Sequence, residues 1–462
     1  MAKDNTKIFS DYPVAKAIAT LALPSVLGML INIVYNLADT FFVGQTGDAN
    51  QVAAVSISMP LFMMFMAIGN LFGVGGCAYI SRSLGEGQKE RIKTISSFCI
   101  FTSIGSGIIM SALFLIFRES ILRLVGASDN TIGFATDYMF WISICSPLII
   151  TGITAGNLIR GEGAAKDSVI GVVIGQVTNI ILDPVFILNK GDNLFGISMP
   201  FGLGKGAEGA AIATVLGNAV TVLYLFFYFM RGNSILSITP KRYSAKNGIA
   251  KNVISVGTPA SLNSLLMSLS NIVINMFLAG YGDNAVAGMG VAMKANMLVV
   301  MFQIGVGQGV QPLIGYCFGA NNFNRMKKTI RLSIIINIVI GSVVTAFYII
   351  FRDQVIGLFI NDKEVISFGV KMLTALMSPG PVLGIMFIIN FAFQGMGKGI
   401  QSFILAAGRQ GLIYLPLVFI MDRLVGLDGL IWAQPVADAV CIILSVVMFL
   451  SVMKKISRQK TQ

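Results

Sequence analysis

The chain has 462 residues, of which 55% are hydrophobic and only 12% are charged, and its formal net charge is +12. Soluble domains carry about 25% charged residues, so this composition predicts a membrane protein and excludes an ordinary soluble enzyme. The sequence has no histidine, and its five cysteines lie in apolar runs without paired spacing. Both observations argue against histidine-based catalysis, disulfides and transition-metal sites.

Apolar runs of about 20 residues, the length that crosses a bilayer core, predict an all-α membrane protein with twelve transmembrane helices. The predicted spans are Ala15–Phe42, Val52–Ser81, Thr94–Phe117, Phe134–Ile159, Val169–Leu188, Gly209–Met230, Val253–Gly280, Val286–Cys317, Thr329–Phe351, Val365–Phe393, Ser402–Met421 and Leu430–Met453.

Basic residues set the predicted orientation of these spans. Most of the 33 Lys and Arg residues fall on one side of them, among them Arg82, Arg242 and Lys454, with Lys398 and Arg409 counted at the same edge. Because positive charges concentrate in cytoplasmic loops, we expect a multi-pass protein of the cytoplasmic (inner) membrane with both termini in the cytoplasm. The same rule explains the net charge without a nucleic-acid partner.

The second half of the chain repeats the first at a nearly constant offset, which predicts two six-helix bundles related by a pseudo-two-fold axis along the membrane normal, with a cavity between them. The N-terminal bundle is predicted over residues 1–231, a cytoplasmic linker over 232–252 and the C-terminal bundle over 253–462. The repeated features are Pro24 and Pro259, Gly47-Asp48 and Gly282-Asp283, Pro147 and Pro381, and Gly161-x-Gly163 and Gly395-x-Gly397.

A carboxylate in the fifth span marks a candidate functional site. Asp183 lies in an apolar run, where a charge costs on the order of 3 kcal/mol or more at a helix centre. Asn179 is four residues earlier, so the two share a helix face, and Pro184 has no N–H to offer the carbonyl of Ile180. This oxygen set suits a hard cation or a proton. The alternative is an aspartate bonded to a nearby hydroxyl for packing.

Asp39, on a polar stripe of the first span with Tyr35, is predicted at a similar depth to Asp183. Tyr138 and Thr214 reach the same level, although ordinary interhelical hydrogen bonding is the alternative for each. Two carboxylates close together in a low dielectric need a proton or a counter-ion, so Asp39 and Asp183 would also be the Na⁺ ligands of a sodium-coupled protein. The predicted cation or proton cluster is Asp39, Asp183, Asn179, Tyr138, Thr214 and Tyr35.

Together these motifs resemble the multidrug and toxic compound extrusion (MATE) family, and within it the DinF-like and MepA-like members. The resemblance covers nearly the whole chain, and its carriers are the repeat of six and six helices, Leu23-Pro24-Ser25, Asp39, Asn179-x-x-x-Asp183-Pro184 and Gln311-Pro312-Leu313-Ile314-Gly315. It implies an H⁺- or Na⁺-coupled antiporter that expels amphipathic, often cationic drugs by alternating access, with no other cofactor.

The resemblance also implies roles for single residues. Asp39, Tyr138, Asn179, Asp183 and Thr214 match the coupling network of the first bundle, and Pro24 matches the point where the first helix bends. NorM-type members carry a carboxylate in the seventh helix, whereas this chain offers only asparagines there, at positions 263, 271 and 275. This difference favours coupling in the first bundle.

Two further predictions concern the inner surfaces of the bundles. Lys294 and Asp438 lie at similar estimated depths, so we expect a buried ion pair between them. The alternative is that Lys294 faces the cavity, where it would repel cationic substrates. Flexible methionines suit promiscuous binding, although core or lipid-facing packing is the alternative for each. The predicted cavity residues are Asn157, Met63, Met66, Met289, Met293 and Gln308.

Other functions fit the sequence less well. A lipid-linked oligosaccharide flippase of the same superfamily would carry a strongly basic cavity, whereas Lys294 is the one basic residue not counted at an edge of the predicted spans. Uptake symporters with broken helices have inverted repeats, unlike the parallel repeat here. No nucleophile and base pair, metal cluster or phosphate loop predicts an enzyme. The expected partners are amphipathic small molecules and the lipid bilayer, and a monomer is the default.

Overall fold

The structure is a computed structural model that describes residues 6–194, 197–232, 234–358 and 362–459. These residues are almost entirely α-helical, with one two-stranded antiparallel hairpin, one 3₁₀ turn over Pro240–Arg242 and one π-helical segment over Gly408–Leu412. The helices are α1 (Lys7–Ser10), α2 (Val14–Gly44), α3 (Ala49–Gly85), α4 (Lys89–Ile116), α5 (Arg118–Val125), α6 (Ile132–Gly161), α7 (Ala165–Ile187), α8 (Gly206–Met230), α9 (Ile249–Ala279), α10 (Asp283–Gly319), α11 (Phe323–Ile350), α12 (Arg352–Gly357), α13 (Lys363–Met377), α14 (Gly380–Gly395), α15 (Gly399–Ala407), α16 (Tyr414–Val425) and α17 (Leu427–Gln459), and the strands are β1 (Asn193–Leu194) and β2 (Ile197–Ser198).

The predicted twelve spans are present among the described residues. Eleven helical stretches are long and apolar enough to cross a membrane, and the bent pair α13 and α14 supplies the twelfth. The predicted continuous helix over Val365–Phe393 is therefore wrong in one respect, because the chain bends by 49° between Met377 and Gly380. Pro379 lies in this break, where it has no N–H for a helical hydrogen bond.

The helices pack into two compact units. The first unit contains Leu27–Gly257, and the second contains Lys7–Val26 and Thr258–Gln462. The boundaries thus fall inside α2 and α9, close to Pro24 and Pro259, and differ from the boundaries at 231 and 253 suggested by the sequence. A proline leaves one helical hydrogen bond unmade, so each helix is locally weakened near the point where its packing partners change.

The linker after α8 belongs to the first unit because it is hydrogen-bonded there. The hydroxyls of Ser96 and Ser97 both donate to the carbonyl of Ser237, at 3.0 Å. Tyr243 packs its ring against Phe98 and Phe101 of α4.

The segment Lys7–Tyr12 packs against α10 and α11 in the second unit, a feature that sequence analysis did not predict. Phe9 in α1 is fully buried, and its ring stacks on Tyr316 of α10 with centroids 5.1 Å apart. Arg325, near the start of α11, donates from Nη2 to the carbonyl of Tyr12 at 2.6 Å. The segment Lys7–Tyr12 therefore closes one end of the second unit.

Glycines allow α7 and α8 to approach closely in the first unit. A Cβ atom on Gly175 would lie 2.5 Å from the carbonyl oxygen of Gly217, and one on Gly217 would lie 2.7 Å from the carbonyl oxygen of Gly175. Small residues at such contacts let helix backbones meet in a membrane. This contact places Thr214 of α8 beside Asn179 of α7.

Replacing Gly175 by alanine should separate α7 from α8, because the new methyl group would meet a backbone carbonyl that cannot rotate away. We expect a loss of about 1–3 kcal/mol in stability, typical of overpacking, seen as a lower apparent Tm of the purified protein. Gly105→Ala in α4 is the matched control, since no atom lies within 4 Å of a Cβ there. Equal Tm values for the two variants would contradict this account of the helix contact.

Candidate functional site

The six residues of the predicted cluster lie together in the first unit, on four helices. Tyr35 and Asp39 come from α2, Tyr138 from α6, Asn179 and Asp183 from α7, and Thr214 from α8. Asp183 has no exposed surface and Asn179 retains 2%, as expected for two residues one turn apart on a buried helix face. Asp39, Tyr138 and Thr214 are also buried, and Tyr35 is half-buried.

Side-chain contacts connect the four helices. The amide nitrogen of Asn179 donates to the hydroxyl oxygen of Thr214 at 3.2 Å, and Thr214 is also hydrogen-bonded to the phenol of Tyr35. Asp39 and Asp183 are close enough for their charges to interact. Tyr138 lies within electrostatic range of both carboxylates.

The cluster has more hydrogen-bond acceptors than donors. Both carboxylate oxygens of Asp183, Oδ1 of Asp39 and the amide oxygen of Asn179 are buried without a hydrogen-bond partner among the described residues. Each unsatisfied buried polar group costs about 1–3 kcal/mol, and more when it is charged. The protein therefore buries an acceptor set that something outside the chain must satisfy.

Proximity of the two acids limits what can satisfy this set. Within the ranges described, no lysine or arginine forms an ion pair with Asp39 or Asp183. Two neighbouring carboxylates without a counter-ion cannot both remain charged in a low dielectric. A proton would neutralise one acid, and a hard cation would be held by the carboxylate, amide and hydroxyl oxygens. The site can thus exist in a loaded and an empty form of different charge.

The internal repeat of the chain corresponds to a known protein family. The family model described as MatE matches the chain twice, over residues 24–185 and 259–420. Each match begins at one of the repeated prolines, Pro24 and Pro259, so the family pattern coincides with the internal repeat. The chain belongs to the MatE family. The family predicted from the sequence is confirmed.

Relatives of this MatE chain match it over nearly its full length. "Multidrug export protein MepA" of Staphylococcus saprophyticus is 32% identical over 441 residues, which cover 96% of this chain and 94% of the relative. The protein of the same name from Staphylococcus haemolyticus is 31% identical, with coverage of 98% and 97%. A solved outward-facing structure of a multidrug resistance MATE family transporter of the MOP superfamily has a TM-score of 0.88 and 26% identity, with each chain fully covered.

The predicted ion pair between Lys294 and Asp438 of this MatE chain is wrong. Asp438 pairs instead with Arg409, whose Nε donates to Oδ1 of Asp438 at 2.9 Å. Gln434 donates to the same oxygen at 2.8 Å. Lys294 is exposed on α10, and no ion pair to it is found among the described residues.

Arg409 was missed because it was counted as a basic residue at the cytoplasmic edge. It lies instead ten residues inside the span Gly399–Val425, and only 9% of its surface is exposed. Its guanidinium group also lies 5.1 Å from the ring centroid of Phe387. The π-helical segment that carries it is anchored to α9, because Ser270 donates a hydrogen bond to the carbonyl of Gln410. The glycines at 408 and 411 and the proline at 416, which has no N–H for the carbonyl of Leu412, were local signs of irregular helix.

The predicted cavity residues do not behave alike. Met289 is buried in the core of the second unit, with 3% of its surface exposed, so its assignment to the cavity is wrong. Asn157 is also a packing residue, because its amide nitrogen donates to the carbonyl of Ile153 and its side chain lies against Gly73. The half-buried residues of the predicted set are Met63, Met66, Met293 and Gln308.

Glu162, which follows α6, is a further buried acid, and sequence analysis missed it. Its carboxylate accepts hydrogen bonds from the hydroxyl of Tyr228 at 2.5 Å, from the hydroxyl of Ser234 at 2.9 Å and from the backbone N–H of Ile235 at 3.1 Å. Burial raises the pKa of Glu162 to about 7, while these hydrogen bonds lower it and the charge of Asp167 raises it slightly. Through Ser234 and Ile235, Glu162 holds the start of the linker against the turn between α6 and α7.

Removing one member of the buried pair should destabilise the second unit. Either Arg409→Met or Asp438→Asn would leave the remaining side chain without its partner, so we expect a loss of about 3–5 kcal/mol for each. The double variant Arg409→Met/Asp438→Leu should lose less than the sum of the two. Lys294→Met is the control, and a surface change of this kind should stay within about 0.5 kcal/mol. Chemical unfolding in detergent measures each value, and additive losses in the double variant would rule out the pair.

The linker contact should make stability depend on pH. Because the pKa of Glu162 in the folded chain, about 7, lies above its ordinary value of 4.5, the folded chain holds this proton more tightly than the unfolded chain. The stabilising contribution is complete below pH 4.5 and is lost as the pH rises through about 7.

We therefore expect the apparent Tm of the wild type, relative to that of Glu162→Gln, to fall between about pH 5 and about pH 8, by an amount equivalent to roughly 3 kcal/mol at most. Thermal unfolding at several pH values measures this difference, with Glu86→Gln at an exposed position as the control variant. A difference that grows as the pH rises would have the wrong sign for this mechanism.

Proposed function

We propose that this MatE protein exports chemically diverse amphipathic drugs from the cytoplasm in exchange for H⁺ or Na⁺, and that the coupling ion binds at Asp39 and Asp183. The observation that carries the proposal is the buried acceptor set on Asp39, Asn179 and Asp183, which no described donor of the chain satisfies. The names of the curated relatives support multidrug export. We further propose that the protein acts as a monomer in the cytoplasmic membrane, with both termini in the cytoplasm.

Binding of the ion would change both the charge and the hydrogen bonding of the cluster. In the empty state the two acids repel each other across a low-dielectric interior, which disfavours their close approach. A proton or Na⁺ removes the repulsion and draws Asp39 of α2 toward Asp183 of α7. Tyr138 and Thr214 supply hydroxyl groups that can reorient as donors or acceptors in either state.

A conformational change at the ion site would be transmitted through α2. Asp39 lies in the part of α2 that belongs to the first unit, and Pro24 lies in the part that belongs to the second. The helix lacks one hydrogen bond at Pro24 and is easier to bend there. We propose that ion binding changes the packing of α2 at Pro24. This change would determine the side of the membrane to which the transport path is open. An ion can shift such an equilibrium only as far as its affinities for the two states differ, and the drug must prefer the opposite state.

The charge of the second unit bears on which drugs are carried. Arg409 is neutralised by Asp438, whereas Lys294 is exposed and within a span, where a lysine is favourable only beside water or a polar partner. We propose that Lys294 borders the water-filled path, where its positive charge favours neutral and zwitterionic amphiphiles over cations. Half-buried methionines such as Met63 and Met66 supply adaptable apolar contacts for such a mixed set.

Removal of the negative charge at position 183 should uncouple transport. We expect Asp183→Asn to lower the initial rate of dye efflux from proteoliposomes about tenfold or more, because position 183 no longer changes charge between the loaded and empty states. Asp39→Asn should have a similar effect. Asp137→Asn is the matched control, since Asp137 is exposed on α6 next to Tyr138. Efflux measured with a pH gradient or a Na⁺ gradient imposed separately identifies the coupling ion.

Unfolding curves and gel filtration should show that these variants remain folded. Wild-type efflux by Asp183→Asn under both gradients would remove the cluster from the mechanism.

A further inference from the structure

A second set of unpaired polar groups lies at the end of α3, and here the groups are donors. Tyr79, Arg82 and Ser83 are spaced by three and four residues, so they share one face of the helix. The hydroxyl of Tyr79, Nη2 of Arg82 and the hydroxyl of Ser83 are all buried without a hydrogen-bond partner among the described residues. The Tyr79 side chain is 5% exposed and that of Ser83 is fully buried. An acceptor is therefore missing at this face.

A second guanidinium group strengthens the positive charge of the same place. Arg82 and Arg91 lie with their guanidinium carbons 5.2 Å and 5.1 Å from the centroid of the Tyr79 ring. Arg82 otherwise donates to the carbonyl of Ala78, and Arg91 donates to the amide oxygen of Gln88. Neither arginine has an ion pair among the described residues.

Nearby acids do not supply the missing acceptor. Glu90 is bound to Lys93 at 2.7 Å and to Arg242. Glu86 interacts electrostatically with Arg82, but it is exposed beyond the end of α3. Two arginines thus converge on one buried ring without a carboxylate within ion-pair distance.

The internal repeat supplies a direct comparison within the chain. Arg91 is the third residue of α4, and Arg325 is the third residue of α11, at the corresponding position of the second half. Nη2 of Arg325 has an acceptor within the chain, the carbonyl of Tyr12 at 2.6 Å, although its Nε has no partner among the described residues. Phe9 of the same segment fills the adjacent space against Tyr316. No described segment supplies such an acceptor at Tyr79 and Arg82.

The position of the donors indicates where the acceptor comes from. α3 has 37 residues and is therefore about 55 Å long at 1.5 Å per residue, well beyond the roughly 30 Å of a hydrocarbon core. Arg82 lies in its last turn, so it reaches the level of lipid headgroups. Arginine pairs bind phosphate through several charge-assisted hydrogen bonds. Basic pockets between helices on the cytoplasmic side of a membrane, the side expected for Arg82, bind anionic headgroups.

We propose that Tyr79, Arg82 and Arg91 form a binding site for the phosphate group of an anionic membrane lipid. The two arginines balance the phosphate charge, and the hydroxyl of Tyr79 and Nη2 of Arg82 donate to its oxygens. The site lies at the junction of α3 and α4, so a bound lipid fixes the end of α3 in the first unit. A free phosphate ion has the same binding chemistry but lacks the acyl chains that hold a lipid at this depth.

The test uses the full-length protein in nanodiscs of phosphatidylcholine, with and without phosphatidylglycerol. Phosphatidylglycerol should raise the apparent Tm of the wild type, and native mass spectrometry should detect its adduct. Arg82→Gln/Arg91→Gln should weaken phosphatidylglycerol binding about tenfold or more, a factor that corresponds to roughly 1.4 kcal/mol. Lys454→Gln/Lys455→Gln removes two positive charges at exposed positions and should bind like the wild type.

Two further measurements separate a loss of binding from a loss of folding, and lipid binding from phosphate binding. Tyr79→Phe keeps the ring beneath both arginines and removes only one donor, so it should fold and bind several-fold more weakly even if the double arginine variant does not fold. Inorganic phosphate added to phosphatidylcholine nanodiscs should not reproduce the Tm increase. The proposal is overturned if Arg82→Gln/Arg91→Gln or Tyr79→Phe binds phosphatidylglycerol like the wild type. It is also overturned if inorganic phosphate stabilises the protein as well as the lipid does.

Discussion

The proposed role of the first unit depends on buried oxygen atoms that have no hydrogen-bond donor among the described residues. Asp183 contributes two of them, and Asp39 and Asn179 contribute one each. A protein interior does not keep such a set without compensation, because every unmet acceptor lowers the stability of the fold. The close contact of α7 and α8 at Gly175 and Gly217 holds the set in place. The helix contact therefore keeps these acceptors close together, although no donor among the described residues satisfies them.

The two halves of the repeat differ in whether their buried charges are paired. Counted from the shared glycine turns, Arg409 and Asp438 occupy the places that Gly175 and Asn218 hold in the first half. In the second unit an arginine and an aspartate therefore neutralise each other, where the first unit has a glycine contact and leaves its acids unpaired. A duplicated framework has acquired one half with an open acidic site and one half whose buried arginine and aspartate pair with each other.

Sequence patterns predicted most of the fold and the acidic cluster. Span lengths, the proline and glycine repeats and the depths of Asp39 and Asp183 are local properties that follow from helix geometry. The partner of Asp438 was not predictable in this way, because depth alone cannot separate Lys294 from Arg409. Arg409 was counted with the basic residues of the cytoplasmic edge although the predicted span Ser402–Met421 includes it, so it was not considered as a partner. Burial of Met289 and Asn157 likewise depends on helix rotation, which apolar composition leaves undetermined.

The packing of Lys7–Val26 with the second unit has a consequence for biogenesis. Their contacts, Tyr316 for Phe9 and Gly309 for Ala22, are synthesised some three hundred positions later than these residues. Domains are generally completed in the order of synthesis, but here the packing of α2 cannot be completed until α10 has been inserted. A chain that ended after the first half would leave Lys7–Val26 without these packing partners.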